Sequence, residues 1–399
     1  MGRDEGVMKG LSILGFAALP LAFGLAPTRE EVTYANRIEP MFRAKCLACH
    51  GSAKVGPFDF SKYEGISVRP ELIRTQLLSR NMPPVWSHSD YGQFASVEAV
   101  TDQDIVDFQE WVRKGMPKGS ALVDETSPVT TEKPVAIVQV EPTEKLRTEG
   151  TPYWMVHTVD LPKNLKDFDG FRIVPDSPRS LHSATLAMVP SDAKLPKETF
   201  GSMDIPGHQL IGVWAAGYRE WRLPEGQTMK AIPGSKLAIQ AHYSPTGRGD
   251  STGFRIEFLR RDRAATGHPA WVDVERSPLL IDANSSPIIE LKLDIEKDAR
   301  LISILPEARF FAGRVELFYD KPGRPRKTVF ESTRWDPYWL GNFMFPTPIK
   351  VEKGASLTAQ FYYNNDENCR MNEGRPIVPI KGGPGVSDEV CRMHYLFAN

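Results

Sequence analysis

The sequence predicts an α plus all-β multidomain chain, in which a small helical domain precedes two antiparallel β-sandwiches. Apolar residues recur near helical spacing before residue 119, and strands with alternating apolar residues follow from residue 151. The 31 Gly and 33 Pro indicate many turns. Because the 399 residues exceed one ordinary core, and the β portion is large for one sandwich, we expect two sandwiches.

The charge distribution argues against a nucleic-acid partner. The net charge is −1, Lys and Arg are scattered, and no segment presents the basic face that such binding requires. With 41% hydrophobic and 25% charged residues, the composition is typical of a globular chain rather than a disordered one.

Residues 1–30 resemble an export segment in their layout. Basic residues precede an uncharged stretch rich in Leu, Ala and Phe that runs from Gly10 to Thr28. Gly24-Leu25-Ala26 supplies small residues for cleavage, but Pro27 would directly follow the cut. The segment is short for a span of about 20 residues. We therefore expect either a cleaved signal that leaves the protein in the periplasm or an anchor on the periplasmic side of the inner membrane.

The helical domain is predicted over residues 31–119. Apolar spacing indicates helices over residues 34–45 and 69–80, and Thr101 is a typical N-cap for a third helix. Residues 120–150 are rich in Pro, Thr, Glu and Val without clear periodicity, so they are predicted to form a linker.

The β portion is predicted from strands with alternating apolar, β-branched and aromatic residues. Residues 236–243, 314–319 and 356–363 are the clearest of these strands. Frequent Pro and Gly turns favour antiparallel pairing. We expect one sandwich over residues 151–262 and a second over residues 263–399.

Cys46-Leu47-Ala48-Cys49-His50 matches the C-x-x-C-H motif of covalent haem attachment. Two thiols at this spacing add across the two vinyl groups of one haem, and the next residue then lies under the iron. The alternatives are a redox-active dithiol and half of a zinc site. A zinc site needs another close pair of ligands, whereas Cys369 and Cys391 lie far along the chain. We therefore expect one haem c, with His50 as an axial ligand.

Met82 is the expected sixth ligand of the iron. It follows a predicted helix and precedes two prolines that stiffen the loop. A thioether ligand raises the reduction potential of haem and suits electron transfer. His88 and Met116 are the alternative ligands.

Residues 34–119 resemble the cytochrome c domains of bacteria. The resemblance rests on the attachment motif, on Met82-Pro83-Pro84-Val85-Trp86, on Trp111-Val112 and on Gly115-Met116-Pro117. Val85 is one residue more than the pattern of these domains contains. In such domains the methionine of the Met-Pro-Pro stretch is the axial ligand, which agrees with Met82.

Residues 151–399 resemble the core of the copper type II, ascorbate-dependent monooxygenases that hydroxylate peptidylglycine and dopamine. The matching stretches are residues 221–226, 234–243 and 387–391. The resemblance implies two jelly-roll-like sandwiches. It also implies a disulfide between Cys369 and Cys391.

The copper ligands of that family are largely absent. The first copper site would keep only His182 and His242, which could hold a metal weakly or form ordinary hydrogen bonds. At the second site, the corresponding positions are Glu307, Arg309 and Val390. Arg309 stays protonated and Val390 has no donor atom, so we expect no copper there and a salt bridge between Glu307 and Arg309 instead.

The remaining histidines of the β portion are expected to be isolated, with structural or solvent-facing roles. They are His157, His208, His268 and His394.

Three functions remain after these considerations. We expect an electron-transfer or structural subunit of a membrane-associated complex, respiratory or photosynthetic, with a redox protein as partner. The alternative is a haem- and copper-dependent monooxygenase acting on a small organic substrate. A haem-linked sensor is the third, and it would require an open sixth position on the iron.

Overall fold

The computed structural model describes residues 30–84, 87–95, 99–120, 132–198, 207–217, 220–383, 385 and 388–398. Within these residues antiparallel sheets predominate, as predicted, and the α-helices precede the first strand. The predicted signal or anchor lies almost wholly outside this set. Among the residues that the structure describes, no helix is long and apolar enough to cross a membrane.

The helical region packs around a core of aromatic and branched side chains. Its elements are a π-helical turn Tyr34–Ile38, α1 Glu39–Lys45, α2 Leu47–His50, α3 Tyr63–Ser67, α4 Pro70–Leu78 and α5 Asp102–Arg113. Thr101 caps α5 as predicted, since the amide of Asp104 donates to its hydroxyl at 3.2 Å. Phe108 and Trp111 of α5 are fully buried against Phe42 of α1. Whether this region is a cytochrome c domain stays a prediction.

The first sandwich consists of two four-stranded antiparallel sheets and a short ribbon. Its strands are β1 Ala136–Val140, β2 Tyr153–Asp160, β3 Asp167–Phe168, β4 Gly170–Pro175, β5 Leu181–Val189, β6 Gln209–Ala215, β7 Trp221–Arg222, β8 Met229–Lys230, β9 Lys236–Tyr243 and β10 Phe254–Leu259. The sheet orders are β1-β10-β4-β7, β2-β9-β5-β6 and β3-β8. The two larger sheets share one apolar core, in which Phe171, Ile239 and Phe254 are fully buried.

The second sandwich repeats this plan. Its strands are β11 Ala270–Glu275, β12 Leu280–Ile281, β13 Ile288–Asp294, β14 Ala299–Ala308, β15 Ala312–Asp320, β16 Lys327–Ser332, β17 Phe343–Val351, β18 Ser356–Tyr363, β19 Ile380–Lys381 and β20 Cys391–Ala398. The sheet orders are β11-β20-β14-β17, β13-β18-β15-β16 and β12-β19. Short 3-10 helices form at Pro337–Trp339 and Arg370–Asn372. We call the two sandwiches together the β-module.

The linker predicted over residues 120–150 is wrong for its second half. Residues 136–140 form β1, which pairs with β10 from Ala136↔Phe258 to Val140↔Phe254. Val138 and Val140 are buried in the first core while the residues between them are exposed. The five-residue alternation is short, and the Pro, Thr and Glu around it obscured the period of two.

The predicted boundary of the helical domain also needs correction. Residues 87–95, which we placed inside that domain, lie against the second sandwich. His88 pairs with Glu331 of β16 in an antiparallel bridge, and the ring of Phe94 is buried in the second core. A single buried aromatic side chain gives no periodic signal, so the sequence did not predict that residues 87–95 pack on the second sandwich.

The two sandwiches contact each other through apolar side chains and one buried amide. Leu305 of β14 packs with Leu210 and Val213 of β6. The amide of Val213 donates to Oδ1 of the fully buried Asn342 at 2.5 Å. Because β6 is the edge strand of its sheet, this bond satisfies a backbone donor that would otherwise be orphaned.

Candidate haem site

The C-x-x-C-H motif forms a single helical turn. The amides of Cys49 and His50 donate to the carbonyl of Cys46 at 3.1 and 2.7 Å, which sets the two thiols and the imidazole on the short helix α2. Apolar surroundings raise the pKa of Cys46 to about 12 and that of Cys49 to about 11. Redox-active dithiols instead have a lowered thiol pKa. The raised pKa values of both thiols therefore disfavour the redox alternative.

A zinc site finds no support either. In the part of the chain that the structure describes, no group of three or more His, Cys, Asp or Glu side chains could hold a metal ion. Cys369 and Cys391, the remaining cysteines, are buried in the core of the second sandwich. The structure holds both as free thiols, so their predicted disulfide stays a prediction.

His50 is oriented in the way that metal-ligating histidines usually are. Its Nδ1 lies 3.2 Å from the carbonyl oxygen of Phe58. Because a carbonyl can only accept, Nδ1 carries the proton and Nε2 keeps its lone pair for an iron atom. The ring also stacks on Phe60 with centroids 4.8 Å apart. Burial lowers the pKa of His50, which favours the neutral form that a metal requires.

Gly56 is a site residue that the sequence analysis missed. A Cβ at this position would lie 2.5 Å from Nδ1 of His50, so a larger residue would displace the ring. The amide of Gly56 also donates to the carbonyl of Cys49 at 2.8 Å, which closes the loop after α2. The only available signal was a glycine that soon follows the motif.

Two adjoining apolar cavities lie beside α2. Their volumes are about 150 and 210 Å³. Cys46, His50, Leu77 and Met82 line both cavities. The residues present therefore fit a haem held by this motif.

Of the three candidate sixth ligands, only Met82 lines these cavities. His88 lies on the second sandwich, where its amide donates to the carbonyl of Glu331 at 2.8 Å. Met116 packs against the helical core, and its carbonyl accepts from the hydroxyl of Tyr63 at 2.8 Å. The arrangement favours Met82 over both alternatives, and its ligation of the iron stays a prediction.

The β-module supplies one wall of the smaller cavity beside α2. The thiol of Cys49 donates to the carbonyl of Ala216 at 3.3 Å, and a Cβ at Gly217 would lie 3.1 Å from the same sulfur atom. His182 and Trp339 line the smaller cavity together with the motif residues. In the sequence the motif and His182 fall in separate predicted domains, and no pattern indicates that they meet.

The two histidines expected at the first copper site do come together. The rings of His182 and His242 have centroids 5.3 Å apart, and His242 stacks on Trp154 at 4.3 Å. Within the described part of the chain, neither nitrogen of His242 makes a hydrogen bond of ordinary geometry, although the backbone of Tyr338 interacts weakly with the ring. Burial lowers the pKa of His182 to about 4. Burial and the nearby His182 lower the pKa of His242 to about 3.

The positions of the second copper site hold a different arrangement from the one expected. Glu307 does not pair with Arg309. Its carboxylate contacts Nε2 of His394 at 3.2 Å and lies 3.7 Å from the guanidinium of Arg392. The guanidinium of Arg309 donates to backbone carbonyls, including that of Asp388 at 2.9 Å. The physical reason is that Glu307 lies within β14 beside β20, where it meets His394, whereas Arg309 lies just beyond the end of β14 and reaches the backbone of residues 385 and 388.

His394 is therefore not isolated, contrary to our expectation. Its Nδ1 also lies 2.7 Å from the carboxylate of Asp273, so the buried ring sits between two acids. Although burial opposes the charge, the hydrogen bonds to Asp273 and Glu307 raise the pKa of His394 to about 9.

The remaining histidines with described hydrogen bonds make ordinary contacts. Nε2 of His157 lies 3.1 Å from the hydroxyl of Tyr243, and Nδ1 of His268 lies 2.9 Å from the carbonyl of Thr228. Both rings therefore have protein partners of the kind expected for structural histidines.

Comparison with known proteins adds little. No protein-family profile and no well-characterised protein matches the chain. A protein described as a putative alpha-L-fucosidase of Bacteroides ovatus aligns at 12% identity and a TM-score of 0.17, over 65% of this chain and 39% of that one. The chain thus spans about two fifths of that protein's length.

Two viral structures give alignments of the same quality. The VP2 subviral particle of infectious bursal disease virus aligns at 9% identity and a TM-score of 0.18, over 70% of this chain and 74% of that one. The Sputnik virophage aligns at 8% identity and a TM-score of 0.19, over 71% of this chain and 91% of that one. At such scores none of these likenesses supports an inference about this protein.

Proposed function

We propose that this protein is an exported c-type cytochrome that transfers electrons, or supports electron transfer, within a membrane-associated respiratory or photosynthetic complex. The observation that carries the proposal is the apolar cavity bounded at once by Cys46, His50 and Met82, with Cys49 on the same helical turn. We infer that residues 34–119 form a cytochrome c domain and that the β-module descends from the ascorbate-dependent copper monooxygenases with a jelly-roll topology.

The chain's residues have distinct roles in this proposal. Cys46 and Cys49 would hold the haem covalently, and His50 and Met82 would ligate its iron. The bound haem supplies a one-electron ferrous–ferric couple. The Phe58 carbonyl orients the imidazole of His50, and the apolar lining keeps water away from the site. Ligands fixed on both sides suit electron transfer, because little then has to move when the iron changes charge.

The β-module contributes structure rather than copper catalysis in this proposal. Glu307, Arg309 and Val390 each have protein partners where the resembled enzymes have metal ligands. Glu307 contacts His394, Arg309 donates to Asp388, and the carbonyl of Val390 accepts from the hydroxyl of Tyr363 at 2.5 Å. Hydroxylation in the resembled family needs this second copper.

Haem content tests the proposal directly. We expect a pyridine haemochrome assay on the mature protein to give one c-type haem per chain. Replacing Cys46 and Cys49 together by Ser should abolish covalent haem. The matched replacement of Cys369 and Cys391 by Ser should keep it. Absence of porphyrin on the wild-type chain, made in a host that attaches haem c, would refute the proposal.

A haem- and copper-dependent monooxygenase is the second candidate, because His182 and His242 lie together beside the haem cavity. Metal analysis separates the two candidates. Iron without copper agrees with an electron-transfer subunit. Near-stoichiometric copper that disappears in the His242→Ala variant would instead favour the enzyme.

The partner complex and the location can be tested in the native organism. We expect the protein to fractionate with membranes or the periplasm and to co-purify, in mild detergent, with a redox complex. Recovery of the chain alone from the cytoplasm would contradict the proposed location.

A further inference from the structure

Residues 87–95, which we call the strap, cross from the helical region to the second sandwich. The amide of His88 donates to the carbonyl of Glu331 at 2.8 Å, and the amide of Glu331 donates back to His88 at 2.9 Å. Asp90 makes a similar pair with Thr328, because its amide donates to the Thr328 carbonyl at 2.9 Å and its carboxylate accepts from the Thr328 amide at 2.7 Å. The strap thus extends the sheet beyond its edge strand β16.

Phe94 anchors the far end of the strap. It is 5% exposed, and its ring centroid lies 5.2 Å from that of Phe343, 5.3 Å from that of Phe345 and 6.0 Å from that of Phe330. The amide of Ala95 also donates to a carbonyl of β17 at 2.8 Å. A side chain buried among three aromatic rings is costly to withdraw, so this end of the strap is firmly attached.

The strap begins only a few residues after Met82. His88 lies six positions along the chain from Met82, and six residues span at most about 20 Å. On the other side, Met82 is tied to α4 by its amide, which donates to the carbonyl of Gln76 at 3.4 Å. The anchored strap therefore limits from one side where Met82 can lie.

We propose that the strap positions Met82 for ligation of the haem iron, with Phe94 as the positioning residue that ties the ligand loop to the second sandwich. This inference rests on the proposed function, since it requires a haem on Cys46 and Cys49. In this proposal the β-module has a structural role at the haem that requires no copper. If the anchor is released, Met82 leaves the iron while the covalent attachment stays.

Ferric haem with a methionine ligand has a weak charge-transfer absorption band in the red, and that band reports the ligation directly. In the Phe94→Ala variant we expect one haem per chain by the haemochrome assay, a weaker band and a lower reduction potential, because the thioether raises the potential. The Phe94→Leu variant keeps an apolar anchor and should retain both the band and the potential.

Two further variants separate positioning from general loss of stability. Val351→Ala truncates the same core at a residue six positions along β17 from Phe345, and it should keep the band. Asp90→Ala weakens the strap at its exposed face without touching the core, and it should reduce the band even if Phe94→Ala fails to fold. Asp90→Asn keeps the acceptor and should behave as wild type.

The outcomes are decisive. A wild-type chain without haem would refute the proposed function itself. Haem-loaded Phe94→Ala that keeps the wild-type band and potential would overturn the strap inference alone. Equal loss of the band in Val351→Ala would overturn it as well, and so would an unchanged band in Asp90→Ala when Phe94→Ala does not fold.

Discussion

Gly217 is a residue of the β-module that lies beside the turn carrying Cys46 and Cys49. Its φ is +105°, and a Cβ here would lie 3.1 Å from the sulfur of Cys49. We expect Gly217→Ala to lower the free energy of unfolding by roughly 1–3 kcal/mol and to reduce the haem bound per chain. Gly234→Ala is the matched control, because Gly234 also has a positive φ but no described atom lies within 4 Å of the place its methyl group would take. Equal effects of the two changes on haem content would contradict the contact.

His394 makes the stability of the second sandwich depend on pH. Asp273 and Glu307 raise its pKa to about 9 in the folded protein, against an ordinary value of 6.5. Below pH 6.5 both the folded and the unfolded chain hold this proton, so the stabilisation is complete. As the pH rises towards 9, the unfolded chain loses the proton first, and roughly 3 kcal/mol of stability is lost.

Urea unfolding of wild-type protein at several values between pH 6.5 and 9 measures this loss. The His394→Gln variant, which keeps a polar side chain of similar length, should be less stable at pH 6.5 but should show a flatter dependence on pH. An equally steep slope in the variant would assign the effect to another group.

At the scale of elements, β1 shows that the chain beyond residue 132 is not a free linker. Val138 is 5% exposed and Ile137 is 55% exposed, as expected for alternate faces of one strand. We expect Val138→Ala to lower the free energy of unfolding by about 2 kcal/mol, and Ile137→Ala to change it by less than about 0.5 kcal/mol. Chemical denaturation of the two variants measures these changes. Equal changes in the free energy of unfolding would support the linker interpretation instead.

Regular elements were the most predictable part of the fold. The predicted helix over residues 69–80 forms as α4, and the strand predicted over 236–243 forms as β9 with the same limits. Their apolar periods run over two or more turns or pleats, so local sequence was sufficient. The single turn α2 and the strap are too short for any period, and they are held by contacts distant in sequence.

At the scale of the whole molecule, the two sandwiches depend on the buried side chain of Asn342. Removing it leaves the Val213 amide buried without a partner, which costs about 1–3 kcal/mol. We expect Asn342→Ala to lower the free energy of unfolding by that amount, as measured by urea titration. The exposed Asn368→Ala is the control and should have little effect. A change at Asn342 no larger than at Asn368 would show that the amide contributes nothing at this interface.

The candidate haem site depends on the whole molecule. Cys46, Cys49 and His50 belong to the helical region, Ala216 and Gly217 of the first sandwich lie beside Cys49, and the strap packs on the second sandwich. An isolated helical region would therefore lack both the wall and the anchor of the ligand loop.

The sequence by itself determined the class of fold and the relation of the three residues proposed to attach haem. Cys46, Cys49 and His50 are adjacent in the chain, and the spacing of covalent bonds fixes their relation whatever the rest of the protein does. The alternating strands determined antiparallel sheets for a similar reason, because side-chain period is a local property of the backbone.

Only the tertiary structure decided which distant groups meet. It brought His182 to the cavity beside α2, paired Glu307 with His394 rather than Arg309, and buried Phe94 far from its neighbours in sequence. Such contacts depend on how sheets pack and on which face each side chain occupies. Burial then decides which charges find partners, and no local pattern records that outcome.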